Sequence, residues 1–334
     1  AILQQQMKDY IFSSVYYYSM NDSYIYDFRL DVDIPERIDK LLAVHFPEYS
    51  RSTIQRWINN NDVLINGKPC SQKDKMTKSC DVSISIKSQP SINLTPEKME
   101  IDIIDETDDY IVVNKNSGVV THIAPGNYTG TLQNGLYFKY PELSEVPRTG
   151  IIHRLDKDTS GILVICRNLA SHKSLSQQLQ NKKFIKLYHA LVIRNIDKPI
   201  IVDEPIGRHR MNRKKMSIQS NGRQAISKIK PLNLFKRASH LEIELITGRT
   251  HQIRVHLSHL NNPVIGDNMY GYKKTFFSKN PDLLKTIDPL FFQYLHSYSL
   301  SFEDPKTKKL KTYTAKYPEE YSLLLNELLK ESHD

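Results

Sequence analysis

Cysteine is scarce: Cys70, Cys80 and Cys166 stand in 334 residues, an odd number without a C-x-x-C pair. That excludes a disulfide framework and a thiolate zinc site, and a reducing compartment follows by default. No stretch approaches the ~18 consecutive apolar residues of a membrane span, and no basic-then-apolar leader opens the chain, so a cytoplasmic protein without membrane contact is expected. Glycine is sparse at 12 residues. No G-x-x-x-x-G-K-[ST] loop, G-x-G-x-x-G turn or H-E-x-x-H helix occurs, which leaves triphosphate, dinucleotide and zinc-peptidase chemistries without support.

Acidic residues are also in deficit, 37 Asp and Glu against 46 Lys and Arg, for a formal net charge of +9. The shortage is sharpest from Gly207 to Lys230, where eight cations, Arg208, Arg210, Arg213, Lys214, Lys215, Arg223, Lys228 and Lys230, occur without a single acid. A solvated loop rarely lacks acids so completely. Such a stretch is an electrostatic footprint for phosphates, and nucleic acid is the partner it suits.

At roughly 100–200 residues per domain the length allows two or three domains. Residues 1–19 carry Tyr16-Tyr17-Tyr18 without helical or strand periodicity and are expected to be a disordered extension, with Met20 a candidate start. The next unit spans 20–88. In it Pro35 can occupy a first helical turn ahead of Ile38, Leu41, Leu42 and Phe46, Ser50 or Ser52 can cap a second helix carrying Ile54, Trp57 and Ile58, and Val63–Lys68 enters an Asn66-Gly67 turn. Residues 89–100, rich in Ser, Pro, Asn and Lys, read as a linker. From 101 to 334 strand patterns at Tyr110–Asn114, Ile162–Cys166, Leu187–Ile193 and Leu241–Ile246 alternate with helical ones at Ala170–Asn181 and Gln252–Leu260, the last after a candidate Thr250 cap. The fold class is α+β, with a mixed, largely antiparallel sheet.

Two clusters stand out chemically. In Gly150–Gly161, GIIHRLDKDTSG, an Ile-Ile strand feeds a polar turn in which Asp156 lies between Arg154 and Lys157. A carboxylate there suits nucleophilic or acid/base work, although a turn-capping Asp accounts for it about as well. The HRD order of kinases is broken. In Thr247–Leu257, TGRTHQIRVHL, a strand ends at Gly248 and a helix begins with Arg249 and Arg254 five residues apart. Arg254 lies one position off the Ile253–Leu257 stripe, so it can be half-buried and then needs a carboxylate, for which Asp156 is the natural candidate. The spacing of His251, His256 and His259 matches no usual ligand set. Lys182, Lys183 and Lys186 flank Tyr188, a mix of cations and an aromatic that suits a stacked base and a held backbone.

With these motifs in order, Val112–Lys115 followed by Gly118–His122, HRLDKDTSG at 153–161 and GRTHQIRVH at 248–256, the chain resembles the RluA/RluD family of RNA pseudouridine synthases from about Met20 onward. Asn116 replaces the usual Pro, a local departure. The module at about 34–88 is similar to the alpha-L RNA-binding fold, on Ser50-Arg51-Ser52 and Val63–Lys68. The resemblance implies a pseudouridine synthase domain preceded by that small α/β domain, and isomerisation of uridine by a monomer without a cofactor. It makes Asp156 the catalytic carboxylate, Tyr188 the aromatic packed on the uracil, Arg254 the partner of Asp156, and Arg154 the side chain that fills the stack vacated by a flipped base. Arg249 and His251 would support the site or touch phosphate. Arg208, Arg210, Arg213, Arg51, Arg56 and Lys68 would be RNA contacts. Pro147–Ile151, Ile206–Arg210 and Gly222–Ala225 look most like the RluD branch, which modifies an interface hairpin loop of large-subunit ribosomal RNA, so that RNA or the assembling subunit is the expected partner. An RluC-like enzyme and a non-catalytic assembly factor are the alternatives.

Overall fold

A computed structural model describes residues 16–20, 23–32, 34–46, 51–87, 94–124, 126–287 and 293–331. Two compact units are present, Ala1–Asn93 and Leu94–Asp334. Among the described residues no helix is long and apolar enough to cross a membrane.

In the first unit, β1 (Tyr16–Met20), β2 (Ser23–Leu30), β3 (Val63–Ile65) and β4 (Cys80–Lys87) form an antiparallel sheet in the order β1-β2-β4-β3, extended by Lys68–Pro69. Part of the segment expected to be disordered is instead a strand, Tyr16–Met20 pairing along its whole length with β2, and the rest of that segment lies outside the described residues. Helices α1 (Ile38–His45) and α2 (Arg51–Asn59) bury Ile38, Leu42, Ile54, Trp57 and Ile58 against Leu30, Val82 and Ile84. Pro35 is not in a helical turn. Glu36–Arg37 pairs with Lys75–Met76 instead, and Arg37, extended at ψ 139°, precedes the helix. Ser50 lies outside the described residues, and Ser52 sits inside α2. The Asn66-Gly67 turn is left-handed at both positions, φ 49° and 75°, the combination a tight two-residue hairpin requires.

The second unit is built on one nine-stranded sheet. Its strands are β5 (Asp102–Glu106), β6 (Tyr110–Lys115), β7 (Ser160–Cys166), β8 (Ile185–Ile193), β9 (Ile200–Asp203), β12 (Ile226–Leu234), β13 (Ala238–Leu245), β14 (Leu295–Glu303) and β15 (Leu310–Thr314). A separate hairpin, β10 (Ile206–Arg208) with β11 (Met216–Ile218), interrupts the series. The order across the sheet is β9-β12-β13-β8-β14-β7-β6-β5, with β15 beside β14. Neighbours run antiparallel except β7 and β14, which are parallel through Ser160↔His296 and Gly161↔Ser297. Two antiparallel halves meet at that junction. A Cβ on Gly161, at φ +112°, would stand 2.3 Å from the Ser297 carbonyl oxygen, so only glycine lets the two backbones come this close.

Helices α3 (Leu132–Lys139), α4 (Leu169–Gln180), α5 (Gln252–His259), α6 (Pro281–Ile287) and α7 (Glu319–Glu331) complete the unit. In α4 Asn168 and Ser171 cap reciprocally, which ends β7 and turns the chain over the sheet. On β13 the alternation holds, Leu241, Ile243 and Leu245 buried and Glu242 and Glu244 more exposed. The Ile151-Ile152 segment, expected as a strand, makes a single bridge, Ile151 to Ile165, and continues as irregular chain to Thr159.

Candidate active site

One cleft of about 500 Å³ opens between the 152–159 loop, β8 and the turn joining β13 to α5. Asp156, Tyr188, Arg254, Arg154, Arg249 and His251 all line it, so the structure gathers six of the residues singled out from sequence. Arg208, Arg210 and Arg213 do not line it; they lie exposed on and beyond the β10–β11 hairpin. Arg51, Arg56 and Lys68 belong to the first unit and are exposed there. Arg51 bonds Asp39 at 2.8 Å, a fully buried carboxylate. Burial works against the Asp39 charge, but hydrogen bonds from Gln55, Arg51 and Arg37 outweigh it and hold its pKa below the ordinary value.

Asp156 accepts a hydrogen bond from Arg254 Nη1 at 2.9 Å. Arg254 faces a second acid that the sequence reading did not find: Asp267 accepts from Nε at 2.7 Å and from Nη2 at 3.0 Å. The fork of the guanidinium is thus held bidentately from behind, and one nitrogen is left to face the cleft. The Tyr270 ring lies 4.8 Å from the guanidinium carbon. Burial disfavours the charge of Arg254, yet the Asp267 hydrogen bond and the two carboxylates override it and raise its pKa. The half-burial inferred from its offset on the helix stripe is too modest: its side chain is 8% exposed.

α5 starts without a side-chain cap. The residue preceding it is His251, in the left-handed conformation at φ 54°, ψ 22°, so Thr250 does not cap the helix. The turn is fastened instead by Gln252, whose Oε1 accepts from Arg249 N and Thr247 Oγ1 while its Nε2 donates to the Ile226 carbonyl. A left-handed non-glycine costs about 1–3 kcal/mol and persists only where its surroundings fix it. Here the gain is position: His251 Nε2 stands 3.9 Å from Asp156 Oδ1. Tyr270 Oη accepts from Met216 N at 2.8 Å and lies 2.7 Å from His251 Nδ1. The Tyr270 contact fixes the ring orientation, so that Nε2 is the nitrogen facing Asp156. Burial lowers the His251 pKa, against the pull of Asp156, so the ring is neutral at neutral pH.

The loop carrying Asp156 is gripped from beneath by the Val112–His122 region. Lys115, 2% exposed, donates to the carbonyls of Asn116, Val119 and Lys157 at 2.7, 2.8 and 3.0 Å. Ser117 Oγ donates to the Asp158 carbonyl at 2.6 Å, and Thr121 Oγ1 to that of Leu155 at 2.8 Å. Burial pushes Lys115 down to about 7, opposed by the charges of Asp158 and Asp156. Three side chains from one short segment thus fix the backbone on both sides of Asp156. On the opposite wall Tyr188 is 7% exposed, and burial pushes its phenol up to about 12. It stays a neutral phenol at neutral pH. The β14 strand is bulged where it faces Tyr188, a local irregularity of the kind that re-aims a side chain beside a functional cleft. Of the remaining histidines in this region, His256 is buried between Ser227 Oγ and the Glu204 carbonyl, and His259 is exposed. Among the described residues no three His, Cys, Asp or Glu side chains converge to hold a metal ion.

Residues 109–259 match the profile of the RNA pseudouridylate synthase family, and residues 36–82 that of the S4 domain. Ribosomal large subunit pseudouridine synthase D of Neisseria meningitidis serogroup A is 38% identical over 299 residues, covering 89% of this chain and 79% of its own. The chain belongs to the RNA pseudouridine synthases. The enzyme of the same name from Buchnera aphidicola is likewise 38% identical to the synthase, over 88% of this chain and 95% of its own. Among solved structures, human RNA pseudouridylate synthase domain containing 1 matches with a TM-score of 0.51 at 27% identity, covering 66% of the synthase and 84% of that chain. The expected fold class holds: an S4 domain precedes a synthase domain built on a mixed, mostly antiparallel sheet.

Proposed function

We propose that the synthase converts uridines of large-subunit ribosomal RNA to pseudouridine, at the subunit-interface hairpin loop, acting as a monomer in the cytoplasm on the RNA or the assembling subunit. The observation that carries the reading is Asp156: among the described residues it is the one acid lining the cleft, hydrogen-bonded to Arg254 and facing the same space as Tyr188. A protein that merely held RNA would gain nothing from a carboxylate there, since it repels phosphates. The names of the relatives from Neisseria meningitidis and Buchnera aphidicola supply the substrate.

In this reading the uridine leaves the stack at a cost of a few kcal/mol, Arg154 occupies the gap, and the uracil lies against the Tyr188 ring. Asp156 either attacks the anomeric carbon or takes a ribose proton. The bond from uracil N1 to that carbon breaks, the ring turns, and a bond from uracil C5 replaces it. N1 gains a proton and C5 loses one, so the atoms balance with no co-substrate. Arg254, clamped by Asp267, keeps Asp156 aimed at the sugar; Arg249 and His251 border the phosphate path and the acid. Arg208, Arg210 and Arg213, with Arg51, Arg56 and Lys68 of the S4 unit, contact further backbone phosphates.

The test is tritium release from uracil-C5-labelled large-subunit ribosomal RNA, with modified positions mapped by reverse-transcription stops. Release by the wild type and none by Asp156→Asn, with equal RNA affinity, is expected. Normal turnover by Asp156→Asn would sink the mechanism, and stops outside the interface hairpin would overturn the site assignment.

A further inference from the structure

Among the described residues the cleft is lined by five Lys or Arg side chains, Arg154, Lys182, Lys186, Arg249 and Arg254, against Asp156 alone. Arg254 is neutralised by two carboxylates, and Arg249 Nε is taken by the Gln224 carbonyl at 2.9 Å. Lys186 differs from both. It is half-buried, and among the described residues no carboxylate pairs with it and no carbonyl accepts from it; burial is the one influence acting on its pKa, which it lowers. Its place on β8 is two residues before Tyr188, on the same face of the strand, and the bulge opposite lies in β14, so the alternation of β8 is intact.

The ammonium is also fixed laterally. A Cβ built on Gly248 would stand 3.6 Å from Lys186 Nζ, so the group lies against the bare backbone of the turn leading to α5. Its charge is also felt by His153 of the 152–159 loop, whose ring is already held neutral by burial and accepts from Val164 N. The cation therefore lies against the turn carrying Arg249 and lines the same cleft as Asp156 and Tyr188. A partly desolvated ammonium without a counterion is an incomplete site, and what it lacks is an anion.

We propose that Lys186 grips the phosphodiester next to the uridine held against Tyr188, fixing the sugar on the strand side of the cleft while Asp156 approaches from the other. The proposal rests on the uridine-isomerase reading for the identity of the base but not for the charge contact itself. A polynucleotide is the one anion that the neighbourhood suits: Tyr188 offers a face for a base, and Arg154, Lys182 and Arg249 continue the positive lining for adjoining phosphates.

The experiment compares wild type, Lys186→Met and Lys186→Arg for binding to large-subunit ribosomal RNA across a series of KCl concentrations, and for tritium release from the same labelled RNA. One lost phosphate contact should make the slope of log affinity against log salt shallower by roughly 0.7–0.9 for Lys186→Met, and Lys186→Arg should restore it. The Met variant should also need several-fold more RNA for half-maximal rate. If Met at this position prevents folding, Lys186→Gln carries the same test. Weaker binding with an unchanged slope, as loss of a contact to an uncharged uracil carbonyl would give, overturns the proposal, and so does unchanged binding. Failure of the wild type to release tritium would refute the isomerase reading while leaving the slopes to decide for or against Lys186.

Discussion

Asp267→Asn tests whether the acid behind Arg254 matters to the acid in front of it. Asp267 and Arg254 are 2% and 8% exposed, and the carboxylate takes both Nε and Nη2. Removing one partner of a buried pair typically costs about 3–5 kcal/mol. Asn keeps one acceptor, and Asp156 remains as a counterion, so the expected loss is smaller, about 2–3 kcal/mol. For a unit of this size each kcal/mol is worth about 2–4 °C, which puts the fall in Tm of the synthase domain at about 4–12 °C. The catalytic consequence is separable from the stability loss. Asp267 does not line the cleft, so KM should change little, whereas a guanidinium free to turn misplaces Asp156. If about 1.4 kcal/mol of that alignment is lost in the transition state, kcat falls about tenfold. Thermal unfolding and single-turnover tritium release measure the two effects. Because both residues act through one hydrogen-bonded unit, adding Arg254→Lys to Asp267→Asn should cost less than the sum of the single changes. A variant with wild-type Tm and wild-type kcat, or strictly additive losses, would refute the clamp.

Three further outcomes are expected. Burial lowers His189, His240 and His296 to about 4 and His153 to about 3 from an ordinary 6.5; the unfolded chain therefore binds more protons between those values, and stability should fall as pH drops from about 6.5 to 4, these four rings alone giving a slope approaching four protons in urea titrations, whereas a flat profile there would contradict it. Gly161→Ala should fail to fold, since its Cβ meets the Ser297 carbonyl oxygen at 2.3 Å; native near-ultraviolet dichroism from this variant would show that the junction tolerates separation. Replacing Arg208, Arg210 and Arg213 together by Ala should flatten the salt dependence of RNA binding by roughly one unit per lost phosphate contact with kcat unchanged, and an unaltered slope would make them bystanders.

The legible parts of this protein were those with short sequence reach. Alternation exposed β13, the apolar run exposed β7, and the offset of Arg254 from its helix stripe was enough to demand a carboxylate and to nominate Asp156, 98 residues away. Asp267 stayed hidden because a Gly-Asp pair 13 residues beyond Arg254 reads as a turn, and its side chain does cap the 3-10 turn at Asn268–Tyr270 as well. Lys115 and Thr121 belonged to a recognised motif, but a lysine in a strand gives no sign that it will be buried on three carbonyls. Thr250 and Pro35 misled for a common reason: each is favoured at a helix start, and tertiary contacts placed His251 and Arg37 there instead. A signal for the first existed in the Gln252 amide, which can satisfy a turn that lacks a capping hydroxyl.

The parallel seam between β7 and β14 has a consequence in time. Ser160 Oγ and His296 Nδ1 meet at 2.8 Å across 136 residues of chain, and this one strand, β14, joins the half bearing Asp156 to the half bearing Tyr188. Long-range pairing of this kind is slow because the entropy of closing the loop is lost before any contact compensates it. The pairing of β14 with both β7 and β8 is therefore the step expected to be slow in forming the cleft.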